Sequence, residues 1–127
     1  MKKLLVSLML VAGVVTTAQA ANWQLQGKHT DGVITIIDTD SLIFDDNTRT
    51  SRSAWLKMIN PNGSYDLHRV DVNCPTRMMR FLITHQYSNS GYIYKSILQP
   101  SAWEYTVPAS YGETWTNTIC LTNARSR

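Results

Sequence analysis

From Asn22 to Leu98 the chain is a succession of short runs in which apolar and polar residues alternate, each closed by Gly, Pro, Asn or Asp. A period of two with frequent turn residues constrains a chain strongly. It favours antiparallel strands joined by tight turns. Asn22 to Gln26 alternates around Trp23 and Leu25. Gly32 to Asp38 holds the β-branched run Val33, Ile34, Thr35, Ile36 and Ile37. Gly27 to Gly32 reads as the turn between them. Asp38 to Ser41 forms a polar corner, followed by a short apolar segment Leu42 to Phe44 and a loop Asp45 to Thr48.

Ser51 to Ile59 is a third strand, with Ser53, Trp55, Lys57 and Ile59 on one face and Ala54, Leu56 and Met58 on the other. Asn60-Pro61-Asn62-Gly63 is a turn, because Asn-Gly tolerates positive φ and Pro61 fixes its own φ. Tyr65 to Asn73 is the fourth strand, Leu67, Arg69 and Asp71 alternating with His68, Val70 and Val72. Met78 to His85 fits a strand better than a helix, placing Met79, Phe81, Ile83 and His85 on one face. After a turn at Ser88 to Gly91, Tyr92 to Leu98 is the sixth strand, closed by Pro100.

The tail changes period. Ser110-Tyr111-Gly112-Glu113 fits a capping box, in which the serine hydroxyl takes the Glu113 N–H and the glutamate reaches back. Tyr111, Trp115 and Ile119 then recur every four residues, an apolar stripe beside Cys120. The expected fold is α+β: an antiparallel sheet of about six strands, with a C-terminal helix packed on one face and tied by a disulfide. At least three of Trp23, Trp55, Trp103 and Trp115 are expected to fill its core.

The first twenty residues join a basic start, Lys2 and Lys3, to an apolar run Leu4 to Val15 and a small-x-small end at Ala18-Gln19-Ala20. This has the form of a cleaved signal peptide. Its apolar stretch of about 12 residues is short of the roughly 20 that span a bilayer. Cleavage after Ala20 leaves a single domain, 21–127. The full chain has 12 Lys and Arg against 9 Asp and Glu; without Lys2 and Lys3 it carries ten against nine. So small a net charge gives little support to nucleic-acid binding. Cys74 and Cys120 are the two cysteines. In an exported chain they are expected to form one disulfide, closing a loop worth about 4 kcal/mol of chain entropy. Their spacing matches neither a CxxC redox pair nor a familiar zinc site, so no metal or cofactor is expected.

Chemistry has few candidates. His68 and His85, with Arg80, supply the residue types of an acid–base hydrolase or nuclease, although His68 on its apolar strand reads more simply as a hydrogen-bonded edge residue of the core. Asp38 and Asp40, two residues apart, suit a turn that binds backbone N–H groups better than a catalytic pair. Four Trp and six Tyr are a more unusual inventory. Tyr65, Tyr92 and Tyr94 flank turns, and tyrosine is a frequent anchor in protein recognition. Arg49, Arg52, Arg77 and Arg80 lie near loops, each a solvated arginine by default. The candidate partner-binding residues are Arg77, Arg80, Tyr92 and Tyr94, and the pattern favours binding over catalysis.

Several features in order resemble the surface-adhesin protein E family of Gram-negative envelope proteins. They are Trp23; Asp40-Ser41; Ala54-Trp55-Leu56-Lys57; Cys74-x-x-Arg77-Met-Met-Arg80; Trp103; Pro108-Ala-Ser110-x-x-Glu113; and Cys120. The resemblance implies an antiparallel sheet with a helix joined to it by a disulfide. It also implies a binder of host matrix proteins such as vitronectin and laminin, and a homodimer. The namesake is lipid-anchored, whereas no cysteine follows this leader. The expected location is therefore the periplasm or the medium, with the cell surface as a third place and no stable membrane insertion. The alternative role is that of an accessory or structural subunit of an envelope system.

Overall fold

A computed structural model describes residues 21–45 and 47–124. The leader 1–20 lies outside the described residues. Seven strands and one helix follow in order: β1 (Trp23–Lys28), β2 (Ile34–Phe44), β3 (Ser51–Ile59), β4 (Tyr65–Asn73), β5 (Met78–Tyr87), β6 (Ile93–Ile97), β7 (Glu104–Tyr105) and α1 (Tyr111–Leu121). The first six form a meander in sequence order, every pairing antiparallel, and β7 pairs with the opening residues of β5. Each connection between neighbours in β1 to β6 is short, as the turn-rich sequence requires. Gly32, Gly63 and Gly91 supply positive φ at three of the five hairpin turns, and Arg49 and Arg77 adopt it at the other two. Gly32 is further fixed by its neighbour: a Cβ there would stand 2.8 Å from Pro61 Cγ in the β3–β4 turn.

One face of the sheet is covered by α1. Ile37 and Leu42 of β2, Ala54 and Leu56 of β3, and Val70 and Val72 of β4 meet Trp115 and Ile119 of the helix there, all buried. Met79 and Phe81 of β5 pack against this core from the side. The tail stripe therefore does what its spacing predicts. The serine half of the capping box forms, Ser110 Oγ accepting from the Glu113 N–H, while Glu113 Oε1 reaches one residue beyond the cap and accepts from the Ala109 N–H at 3.0 Å. At the far end α1 has no basic residue in its last turn. Arg52 of β3 supplies the cation instead, donating to the carbonyls of Ile119 and Thr122 at 3.1 and 2.8 Å. Cys74, just past β4, is joined to Cys120. The helix is also held to the first hairpin, where Tyr111 donates to Asp31 at 2.8 Å and Thr118 donates to Gln26. The Asp31 carboxyl lies below its ordinary value, because the Val33 N–H and the Tyr111 hydroxyl stabilise its charge.

Three local expectations are corrected. The polar corner at Asp38 to Ser41 does not end a strand. β2 runs through it to Phe44, with its ladder to β3 broken between Asp38 and Ile43. There the Ser41 hydroxyl accepts the Trp55 N–H at 2.9 Å, replacing the missing backbone bond. Second, β5 does not keep one alternation. Its register to β4 shifts between Arg69 and Val70: Phe81 stands opposite Val70, while Ile83 stands opposite Arg69. Leu82 is the extra residue of this bulge, so Ile83 and His85 turn to the face opposite Met79 and Phe81. Third, only Trp115 of the four tryptophans is buried; Trp23, Trp55 and Trp103 are half-exposed. Among the described residues a single helix covers one face, and no second layer closes over the other.

Candidate functional site

The long strand β5 is bordered on its outer side by an interrupted edge. β6 pairs with Thr84 to Tyr87, and β7 pairs with Met78 and Met79. Pro100, which has no N–H, lies in the interruption. Ser101 bridges it: its N–H donates to the Phe81 carbonyl at 2.8 Å and its hydroxyl accepts the Phe81 N–H at 2.9 Å. Beyond β7, Thr106 N–H and Oγ1 both donate to the Arg77 carbonyl, fastening the edge to the β4–β5 turn.

This edge is unusually apolar on its solvent side. Every residue of β6 is exposed. Among the described residues nine large apolar side chains are exposed, and seven of them fall between Tyr92 and Val107: Tyr92, Ile93, Tyr94, Ile97, Leu98, Tyr105 and Val107. Tyr92 is 75% exposed and Leu98 66%. Over that stretch Lys95 and Glu104 are the charged residues. Edge strands in monomeric proteins are ordinarily blunted by charge, proline or a bulge, because an open row of backbone groups invites another strand. Between β7 and the start of α1 the surface opens into a cavity of about 140 Å³, walled by Met79, Phe81, Ser101, Tyr105 and Val107. Gly112 forms part of its wall, where a Cβ would come within 3.1 Å of Met79 Sδ.

The four candidate partner-binding residues do not make one cluster. Tyr92 and Tyr94 are 75% and 65% exposed at the β6 end of β5. Arg77 and Arg80 lie towards its other end, roughly 20 Å away at about 3.3 Å per strand residue. Arg77 is exposed in the β4–β5 turn, with a left-handed φ of 60°, and donates to Asn117 at 2.6 Å. Arg80 is half-buried, 3.3 Å from Asp71, with its guanidinium 4.5 Å from the centre of the Trp103 ring. Arg77 keeps the exposure expected by default, whereas Arg80, paired with Asp71, and Arg52, which caps the helix, are not the solvated arginines expected. The sequence reading omitted Ile93, Ile97, Leu98, Tyr105 and Val107. The available signal was the near absence of charge from Tyr92 to Val107.

The other candidates are placed as follows. His68 is 7% exposed on the helix face, its Nδ1 2.8 Å from Thr84 Oγ1 and its ring against Phe81. Burial pushes its pKa down, and Asp66 nearby opposes this. His85 lies on the uncovered face, stacked with Trp55 and bonded to Ser96. The two rings stand on opposite sides of the sheet and cannot serve one substrate atom. Asp38 accepts the N–H groups of Asn22 and Asp40 at 2.9 and 3.1 Å, the backbone role that a turn requires. On the uncovered face Lys57 lies over Trp23 and Tyr65, at 4.9 and 4.8 Å, and Tyr65 stacks on Tyr87. Among the described residues no group of three or more His, Cys, Asp or Glu side chains could hold a metal ion, and no helix is long and apolar enough to cross a membrane. No protein-family model matches the chain, and neither a curated protein nor a solved structure matches it.

Proposed function

We propose that the chain is an exported protein-binding module that receives an extended segment of its partner along the β6 edge. The observation that carries this reading is the concentration of seven exposed apolar residues on the outer side of β5. An added strand would gain main-chain hydrogen bonds from the edge, and its side chains would cover Tyr92, Tyr94, Ile97 and Leu98. The resemblance to surface-adhesin protein E supports a partner among host matrix proteins. An envelope protein is the second reading, because an edge suited to strand addition serves an envelope assembly equally well. Arg77 and Arg80 are too far along β5 to join Tyr92 and Tyr94 in one small contact. They belong to the reading only where the partner runs the length of the edge.

The exported protein and a Tyr94→Lys, Ile97→Lys variant would be presented to immobilised vitronectin and laminin and to purified envelope proteins. Charges on the edge are expected to weaken binding at least about tenfold, equivalent to roughly 1.4 kcal/mol, with the melting temperature little changed because both side chains are exposed. Equal binding by the two proteins would refute the edge as the site. Protease applied to intact host cells separates the two partners: digestion from outside favours matrix proteins, and protection until the outer membrane is broken favours an envelope partner.

A further inference from the structure

The cavity of about 140 Å³ at the β7 end of the edge is apolar in its chemistry, although three hydroxyl groups stand on its wall. The protein engages each of them. Ser101 Oγ accepts the Phe81 N–H at 2.9 Å and donates to the Ala102 carbonyl at 3.2 Å. Thr106 Oγ1 donates to the Arg77 carbonyl at 2.9 Å, with Thr116 Oγ1 3.1 Å away. Ser110 Oγ donates to the Val107 carbonyl at 2.6 Å and accepts the Glu113 N–H. The Arg80 guanidinium is held by Asp71 and lies over the Trp103 ring. A water molecule needs roughly two to four polar partners to stay in such a place. The wall offers instead the side chains of Met79, Phe81, Tyr105 and Val107.

Its supports are rigid. Two non-glycine residues hold a left-handed φ of 60°: Arg77, whose carbonyl takes both Thr106 groups, and Ala109, between Val107 and the helix cap Ser110. Backbone of this kind is costly for a residue with a Cβ and persists where the surroundings impose it. An apolar cavity of about 150 Å³ takes up benzene, so the volume here suits one phenyl or branched aliphatic group. Glu104, exposed on the rim, makes no ion pair among the described residues. Its charge favours a cation beside that group.

We infer that this cavity takes one apolar side chain of the partner segment, a Phe or Leu, and that Glu104 selects a Lys or Arg next to it. The inference rests on the reading of the β6 edge as the place where the partner strand is laid. Strand pairing alone tolerates a slip of two residues, which keeps every side chain on its own face. A single filled cavity beyond Pro100 forbids that slip and so sets the register.

The test titrates blocked tripeptides at low ionic strength into the isotope-labelled exported protein, read by NMR at the Met79 and Val107 methyl groups. A tripeptide spans about 10 Å, too short to reach Tyr94 from the cavity, so pairing with β6 does not enter. Lys-Phe-Lys is expected to shift both residues saturably. Lys-Gly-Lys, which lacks the anchor, should bind at least about tenfold more weakly. Glu-Phe-Glu should also bind more weakly than Lys-Phe-Lys, and Glu104→Gln should narrow that gap. Absence of shifts at Met79 and Val107, or equal affinity for Lys-Phe-Lys and Lys-Gly-Lys, would overturn the anchor. Equal affinity for Lys-Phe-Lys and Glu-Phe-Glu would overturn the role of Glu104. The Tyr94→Lys, Ile97→Lys variant should bind Lys-Phe-Lys as the wild type does, which keeps the two readings apart. Failure of the tripeptides while that variant loses its protein partner strikes the cavity alone. Tripeptide binding while that variant keeps its protein partner strikes the β6 edge alone.

Discussion

Breaking the Cys74–Cys120 bond tests how α1 is held. The two cysteines are 46 positions apart, and opening a loop of that length returns about 4 kcal/mol of entropy to the unfolded chain. The native side changes little. Trp115 and Ile119 still fill the core, Arg52 still caps the last turn, and Tyr111 and Thr118 still bind the first hairpin. The cost therefore falls on the unfolded state. Far-ultraviolet dichroism of Cys74→Ala, Cys120→Ala should match the wild type in buffer, while its urea midpoint falls. At about 4–8 °C per kcal/mol for a domain of this size, the melting temperature should drop by roughly 15–30 °C. The urea slope should rise, because a chain freed of its loop exposes more surface on unfolding. Reduced wild type should follow the variant. A loss below about 1 kcal/mol would refute the loop-entropy reasoning, and a loss of helical signal before unfolding would show that packing alone does not hold α1.

Two further outcomes are expected. Trp115→Ala removes a ring that is 4% exposed and set edge-on to Phe81; it should cost about 3–5 kcal/mol by urea unfolding, and a cost under about 1 kcal/mol would contradict its place in the core. His68 is held below its ordinary 6.5 by burial, so it contributes stability above pH 6.5 that is lost as the pH falls towards its folded value. His68→Gln should flatten the decline of the urea midpoint between pH 7 and 5, and an unaltered decline would show that His68 is not its source.

Strands with a clean alternation were legible in the sequence. Ser51 to Ile59 and Tyr65 to Asn73 match β3 and β4 to the residue, because each buries one face and meets a turn with defined chemistry at Asn60 to Gly63. The capping box likewise marked the start of α1. The bulge at Leu82 left no such trace. Met79, Phe81, Ile83 and His85 alternate in sequence, and only the pairing to β4 reveals that the last two have changed sides. Asp38 to Ser41 misled because polar residues in a strand look like a corner unless their backbone partners are known. The tryptophans misled for a different reason: ring size implies burial only where a second layer exists to bury it. At the edge, Tyr92 and Tyr94 were visible as turn-flanking aromatics. Tyr105 and Val107 were not, since nothing in sequence says that β7 returns to β5.

The two borders of the sheet are unequal, and this limits what can be built from it. At β1 the ladder is broken by a bulge between Leu25 and Gly27, and Gln26 is engaged by Thr118 of the helix. Both outer ladders carry a bulge; the β1 border differs in being tied to the helix, while the β6 border keeps its exposed apolar row. A particle with two open borders can polymerise head to tail without end; one with a single open border terminates growth. A chain of this design presents one exposed apolar border, not two. It can accept one strand, or meet one twin, and a dense population of it does not thereby become a fibre.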